Sequence, residues 1–525
     1  MAELRDDLKA IVGNKILSEV IGKRQTVPTS SSNKKLQWKV LILDEVTLRM
    51  VSTCLTMAEL AAEGVSSVEH VHKHREANSL AEGIFFMSPT KKNVIALLDD
   101  IKHKFYRSFS IMFTETCPNS ILSSLFSKVA PTSLIKGCKE VYLSFIPIEK
   151  HIFSLSMKPI LKPSITDNEG SQDITSYCSN LMEQMAEKLA TLCVTLGGQP
   201  SLCFQKKCKY TGQFANLVND KIKTIKEAEG EVSVSGSSSA DSKVNQYQVL
   251  ILDRGFDLIS CLVHDMYYQA VSYDILGGDK IEVDKQAYTY IDDGQQKVHQ
   301  LEDTDSIWEE LKHRHIADVF EILPEMLRKE KRKEDARKNE GTKTDMKQLK
   351  KDVQGLTKDR KRRKELSIHT GITDNLNVKI EHKKIAPDLC EVEQGLATGG
   401  RMSRLFTGGT MQEKFLRLIM DREIDQADKI RLLCLYIFYE NGISEQKLTS
   451  YMSNAQITDQ VHHDIFKNLS HYGYSFTADY KGVETNTEQL SVPLQNKTHR
   501  RSATHSSSAQ VGTSWVPVLK DLIGW

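Results

Sequence analysis

The apolar residues of this chain follow two different spacings. Short runs in which every position is apolar mark strands buried on both faces of a parallel sheet, whereas apolar residues three and four apart mark one face of a helix. Leu8, Ile11, Val12, Ile16, Leu17 and Val20 lie on one helical face within Leu4 to Ile21, and a polar loop from Pro28 to Asn33 closes that helix. Strand-like runs follow at Lys39 to Leu43, ending in Asp44, at Gly83 to Met87 and at Ser110 to Thr114, with helical stretches between them. Strand alternating with helix predicts a doubly wound α/β domain ending near Cys138.

The pattern then repeats. Val141 to Ile148 and His151 to Leu155 read as strands, Ser171 to Leu196 as a long amphipathic helix, Ser201 to Phe204 as a strand and Gln213 to Ala228 as a helix. These predict a second α/β domain over Lys139 to Asn245, with the Ser-rich Val232 to Lys243 as a flexible connection. Val249-Leu250-Ile251-Leu252 has the pattern of a buried parallel strand ending in Asp253, with Gly255 at the turn. Cys261, Leu262, Met266, Ala270, Tyr273 and Ile275 recur at helical spacing, which predicts a helix packed back on that strand's sheet. On this reading Asp253 and Asp257 are turn or cap residues.

From Gln246 to about Gly482 the pattern is mostly helical. Glu325 to Leu366 carries runs of Lys, Arg, Glu and Asp with few large apolar anchors, which fits a solvated helical hairpin or a disordered arm. Asp428 to Asn441 carries Ile430, Leu433 and Ile437 and reads as a core helix with Gly442 as its C-cap. Thr485 to Gln510 is polar and rich in Ser and Thr, and Trp515 to Asp521 looks structured again.

Composition adds bounds. A chain of 525 residues is too long for one core, and 40% apolar residues suffice for several. A formal net charge of +1 argues against a dedicated nucleic-acid binder. Ten scattered cysteines, no secretory signal and no apolar run of transmembrane length predict a reduced, cytoplasmic protein. The chain has no GxxxxGK[ST], GxSxG or HExxH motif. His70, His72 and His74 beside Glu76 would suit a metal only on a strand, and they read as solvated surface; Cys203 and Cys208 have no second pair. No catalytic, cofactor or metal site is assigned. Two function classes remain, a binding scaffold and a nucleotide- or metabolite-dependent α/β enzyme, and the missing glycine-rich loops favour the scaffold.

Three segments carry a resemblance. LILDRGFD followed by YYQAVSYDIL, TDSIWEELKHRHIADV (Thr304 to Val319) and DKIRLLCLYIFYENGIS (Asp428 to Ser444) resemble the SM (Sec/Munc) family, and most of all its branch that binds plasma-membrane syntaxin in regulated exocytosis. The resemblance implies an α/β, three-domain arch: domain 1 at 1–138, domain 2 at 139–245 plus 483–525, and a mainly helical domain 3 at 246–482, inserted into the second, with a charged hairpin at 325–366. It implies a non-enzymatic regulator of SNARE assembly in vesicle docking, priming and fusion, including neurotransmitter release. The expected partners are a syntaxin-type SNARE, which brings the protein to the plasma membrane, and the assembling SNARE bundle with its vesicle member. An anionic membrane surface is a further candidate. Relatives continue beyond this point with strands that complete domain 2, so a splice form, a truncated gene model and a fragment are all open.

Site residues follow from the same resemblance. Asp44, Arg49, Glu69, Lys73, Arg75 and Glu76, in LDEVTLRM and VEHVHKHRE, match the family's charges toward closed syntaxin, held between domains 1 and 3. Thr56 stands where relatives have Lys. Cys117, Leu122, Ile135 and Glu140 match the pocket for syntaxin's N-terminal peptide, with Leu122 replacing an aromatic residue. At the expected hairpin tip, Arg360 replaces a hinge proline and Arg362 an aromatic, so Asp359 to Arg363 can join a longer helix. Lys358, Arg360, Lys361, Arg362 and Arg363 make that tip basic.

Overall fold

Residues Lys39–Leu43 are all buried, and the first unit of the fold is built around them. The computed structural model describes residues 7–23, 26–27, 35–36, 38–128, 134–157, 172–197, 199–206, 209–233, 246–339, 346–383, 385–399 and 410–469. The loop at 28–33, the greater part of the Ser-rich connection, and the whole of 470–525 with its polar stretch and Trp515 to Asp521 lie outside them. The chain divides into two compact units, Met1–Asp253 and Arg254–Trp525.

In the first unit α1 (Leu8–Lys15) continues into a π-helical turn, Ile16–Ile21, and a short antiparallel pair, β1 (Thr26–Val27) and β2 (Lys35–Leu36), follows. The main sheet comprises β3 (Lys39–Leu43), β4 (Val65–His70), β5 (Asn78–Met87), β6 (Tyr106–Phe113) and β7 (Ile135–Glu140), all parallel, in the order β4-β3-β5-β6-β7. Its helices are α2 (Glu45–Cys54), α3 (Met57–Ala62), α4 (Lys91–Lys102) and α5 (Asn119–Lys128). Val40 and Ile42 fill a core with Phe85, Phe109, Ile111 and residues of α4 and α5. Leu41 and Leu43 fill a second core with Ile84, Phe86 and residues of α1 and α2. Neighbouring residues of one strand thus serve opposite faces, which is why the run shows no alternation. The edge strands β4 (VSSVEH) and β7 (IKGCKE) are largely exposed or half-buried, and they have no such run to announce them. The expected boundary at Cys138 falls inside β7.

The strand expected over Val141 to Ile148 is narrower: residues 141–145 are buried coil, followed by the antiparallel pair β8 (Ile146–Glu149) and β9 (Ile152–Ser154). The helices α6 (Gln172–Leu196) and α7 (Lys209–Ser233) pack on the second core. Next to them β10 (Gln199–Phe204) pairs in parallel with β11 (Gln246–Ile251). Two expectations for β11 are corrected here. Leu250 is 49% exposed, so that face of the strand is not covered among the described residues. The helix after it does not return to its sheet: α8 (Ile259–Leu262) and α9 (Tyr268–Ile275) contribute to the core of the second unit, and Cys261 is exposed.

The second unit is not helical throughout. β12 (Ile281–Glu282), β13 (Ala287–Asp292) and β14 (Gln295–Gln300) form an antiparallel sheet before α10 (Ser306–Leu311), α11 (Ile316–Asn339) and α12 (Met346–His382). After a π-helical turn, Ile385–Leu389, come α13 (Cys390–Ala397), α14 (Met411–Met420), α15 (Gln426–Glu440), α16 (Glu445–Asn454) and α17 (Gln460–Leu469). One core gathers side chains from Ile259 to Phe466. α15 lies in it with Leu432 to Phe438 all buried. Its C-cap is Asn441, left-handed at φ 56°, rather than Gly442, whose N–H bonds the Ile437 carbonyl at 2.9 Å. Asparagine is the residue best able to replace glycine there.

Candidate functional site

Strand β3 ends by delivering Asp44 into the base of the first unit's charged surface. Asp44 is an N-cap: its carboxylate accepts the Thr47 N–H at 2.9 Å and the Thr47 hydroxyl at 2.8 Å. Its other oxygen accepts the Ser88 N–H at 2.8 Å and the Asn93 side-chain amide at 3.0 Å. Ser88 follows β5, so Asp44 bridges the ends of the two strands between which the sheet order reverses, where open α/β sheets commonly bind ligands. With 6% exposure it is a frame residue and not the partner-facing charge expected of it.

Arg75 requires the same correction. It is 9% exposed; its guanidinium donates to the His70 carbonyl at 2.7 Å and to Asp100 at 2.5 Å. Burial pushes the Asp100 carboxyl up, and the Arg75 charge only partly offsets it. The pair ties the loop after β4 to α4.

The remaining four residues lie at or near the surface. Leu48, Val68, Glu69, His70, Lys73, His74, Arg75 and Glu76 line a depression of about 470 Å³. Lys73 and Glu76 are exposed, while Arg49 and Glu69 are half-buried. Glu69 accepts from the Ser67 hydroxyl at 3.1 Å and from the Tyr106 hydroxyl at 3.3 Å, which fixes its carboxylate at the wall. Burial, then the neighbouring His72 and Lys73, lowers the His70 pKa. The surface therefore presents Lys73, Glu69 and Glu76 around an apolar floor of Leu48 and Val68. Sequence reasoning missed the floor, although Leu48 sits one residue before Arg49. The histidines do not form a strand edge: β4 stops at His70, and His72 turns to Asn93 at 2.9 Å. Cys203 is exposed on β10, and Cys208 lies outside the described residues. Thr56, at the position of the relatives' Lys, caps α3 in a box with Glu59.

The second group of four is brought together by β7 and α5. Glu140 accepts the Cys117 N–H at 2.7 Å and the Tyr142 hydroxyl at 2.7 Å. Cys117, Leu122 and Ile135 share the core beneath α5, Cys117 buried and the other two partly so. Burial pushes the Cys117 thiol up to about 12, so it is a small apolar group here and not a nucleophile.

In the second unit the chain passes from α11 to α12 between residues 339 and 346. The basic residues 358–363 are therefore not a hairpin tip. α12 runs unbroken through them because no proline interrupts it. Lys361 donates to the Thr304 carbonyl at 3.0 Å, and Arg362 reaches the Ser306 hydroxyl at 3.2 Å and Glu310 at 3.4 Å. Arg362 also lies 3.7 Å from Glu330. Lys361 and Arg362 are thus engaged with their own unit, while Arg360 is exposed; the Lys358 side chain lies outside the described residues. Two resembling segments also meet: Arg431 grips Asp274 with both terminal nitrogens, beside the buried His264 and Glu393, 2.8 Å apart.

The profile of the Sec1 family matches residues 39–524. The chain belongs to the Sec1 family. It is 27% identical to the protein transport protein sec1 of Dictyostelium discoideum, over 98% of this chain and 81% of that protein. It is 26% identical to the SNARE-interacting protein KEULE of Arabidopsis thaliana, over 98% of this chain and 76% of that one, and covers 61% of Arabidopsis Sec1a. Among solved structures, the Unc18-syntaxin 1 complex from Monosiga brevicollis matches with a TM-score of 0.74 at 25% identity, covering 99% of this chain and 85% of that chain. Vps45 in complex with the Qa SNARE Tlg2 matches at 0.71 and 17% identity, over 99% and 86%, and shares the fold. The family match thus extends over most of this chain.

Proposed function

We propose that this Sec1-family chain binds a syntaxin-type SNARE and regulates SNARE assembly in vesicle docking, priming and fusion, as a scaffold and template and not as an enzyme. The observation that carries this is the family match over residues 39–524, with the Unc18-syntaxin 1 complex among its structural neighbours. The depression on the first unit supports it. A mixed-sign rim with a small apolar floor suits a charged helical partner, for which complementary charge gives orientation and speed of association. Arg49, Glu69, Lys73 and Glu76 make the contacts in this reading, and Asp44 and Arg75 hold the frame behind them. Asp44 also argues against nucleotide chemistry, because it fills the crest of the sheet with its own hydrogen bonds where a phosphate loop would need glycines.

The cluster of Cys117, Leu122, Ile135 and Glu140 receives the N-terminal peptide of the same syntaxin, and α11 with α12 offers a surface to the vesicle SNARE as the bundle assembles. Arg360 and its basic neighbours add attraction for acidic helices or an anionic leaflet. In this reading syntaxin supplies the attachment to the plasma membrane; no helix of the described residues is long and apolar enough to cross one.

Calorimetry with the cytosolic part of syntaxin tests the reading. Lys73→Glu, at an exposed residue lining the depression, is expected to weaken binding about tenfold or more, roughly 1.4 kcal/mol, without lowering thermal stability. Removing syntaxin's N-terminal peptide is expected to weaken binding of an open syntaxin to the same chain. Undiminished affinity in the first experiment rules out the depression, and in the second rules out the peptide site.

A further inference from the structure

The second unit holds a cluster of metal-ligating side chains that the binding role above does not use. His299 lies near the end of β14, Asp305 caps α10, and His369 lies in the core-packed part of α12. Asp305 Oδ2 is 2.5 Å from His299 Nε2 and 3.0 Å from His369 Nε2, and one ligand atom from each residue lies within 4.8 Å of the others. The side chains of Asp305 and His369 are 2% and 0% exposed and that of His299 19%, so the cluster has one end toward solvent.

The far side of each buried ligand is already held. Asp305 Oδ1 accepts the N–H groups of Ile307 at 2.9 Å and Trp308 at 3.0 Å, which leaves Oδ2 for the cluster. His369 Nδ1 lies 2.8 Å from the Tyr268 hydroxyl, and its ring stacks on Trp308 with centroids 6.0 Å apart. A tyrosine hydroxyl donates or accepts equally well. Accepting from Nδ1–H, it fixes the tautomer whose Nε2 lone pair is available, the outer contact that orients metal-bound imidazoles.

We propose that His299, Asp305 and His369 bind a divalent transition ion, zinc in preference, with water completing a four-coordinate shell at the open end beside His299. Two imidazoles and one carboxylate match the donor types of zinc. Bonds of about 2.0–2.1 Å in a tetrahedron set the donors roughly 3.3 Å apart, so His299 has to withdraw toward solvent by less than about 1 Å. Both imidazoles, which now present N–H to one carboxylate oxygen, would shift that hydrogen to Nδ1, and no proton needs to leave. The ion would pin β14, α10 and α12 together at one point.

The full-length chain, stripped with a chelator, is titrated with Co²⁺ and then Zn²⁺, and followed by visible absorption, calorimetry and metal content. One equivalent of Co²⁺ with the spectrum of a four-coordinate site, displaced by Zn²⁺, is expected. His299→Ala, at the rim and away from the core, should lower zinc affinity by more than the 10–100-fold typical of an outer partner, and Tyr268→Phe by about that amount. His299→Cys should retain binding. Absence of uptake by the wild type, or uptake undiminished in His299→Ala, overturns the proposal. So does a loss that follows His72→Ala, which would put the metal on the exposed histidine run.

Discussion

Asp44 shows how one residue sets a surface it does not belong to. It caps α2 and holds Ser88 and Asn93, so Asp44→Ala removes a helix cap and takes an acceptor from two further donors at once. A loss of about 2–4 kcal/mol is expected by chemical denaturation, against little change for Lys73→Glu. Equal stabilities would show that the depression is not framed this way. Part of this was legible, since Asp44 followed by Thr47 at a strand's end reads as a cap. The burial of Arg75 was not: its partner Asp100 stands a whole strand and helix away in the chain, and charge type carries no information about depth.

At the scale of elements, α12 is the part most exposed to test. Arg360→Pro removes an N–H inside the helix and biases Asp359 away from helical geometry, at a local cost of about 3 kcal/mol. Amide exchange between Met346 and Asp359 is expected to accelerate, and exchange as slow as in the wild type would refute the account. The continuity of this helix could be read from the missing proline. Its ends could not, because a run of charges has no apolar stripe to show where the chain turns back. β13 and β14 were legible and went unread: Asp293 and Gly294, at φ 52° and 74°, make the two-residue turn that an Asp-Gly pair signals between strands. The edge strands β4 and β7 carry no comparable signal. The metal-ligating cluster was hidden for another reason, since its three residues come from a strand, a cap and a distant helix with no motif spacing.

For the whole molecule, the two units fill separate cores among the described residues, which predicts two calorimetric transitions. Asp44→Ala should lower one of them and Arg431→Ala the other, the latter by roughly 2 kcal/mol, because Asp274 loses its bidentate partner. A single transition shifted by both variants would contradict this. The same pair gives an acid dependence. Burial raises the Asp274 pKa, but the Arg431 hydrogen bonds and charge more than offset it, so the carboxyl lies below its ordinary value. A depressed folded pKa contributes stability that is present above the unfolded value, about 3.9, and is lost as pH falls through the folded one. The second unit's transition is therefore expected to drop with acid below about pH 4, and Asp274→Asn to flatten that limb.

The length of α12 has a mechanical consequence. Its 37 residues span about 55 Å at 1.5 Å per residue. Among the residues whose side chains are described, those it gives to the core run from Leu366 to Ile380. A pivot of about 8° centred on that stretch carries the far end, about 40 Å away, roughly 5–6 Å, close to one helical pitch. A small repacking of side chains around Leu366 to Ile380 is thus geared up into a displacement of about one pitch at the far end.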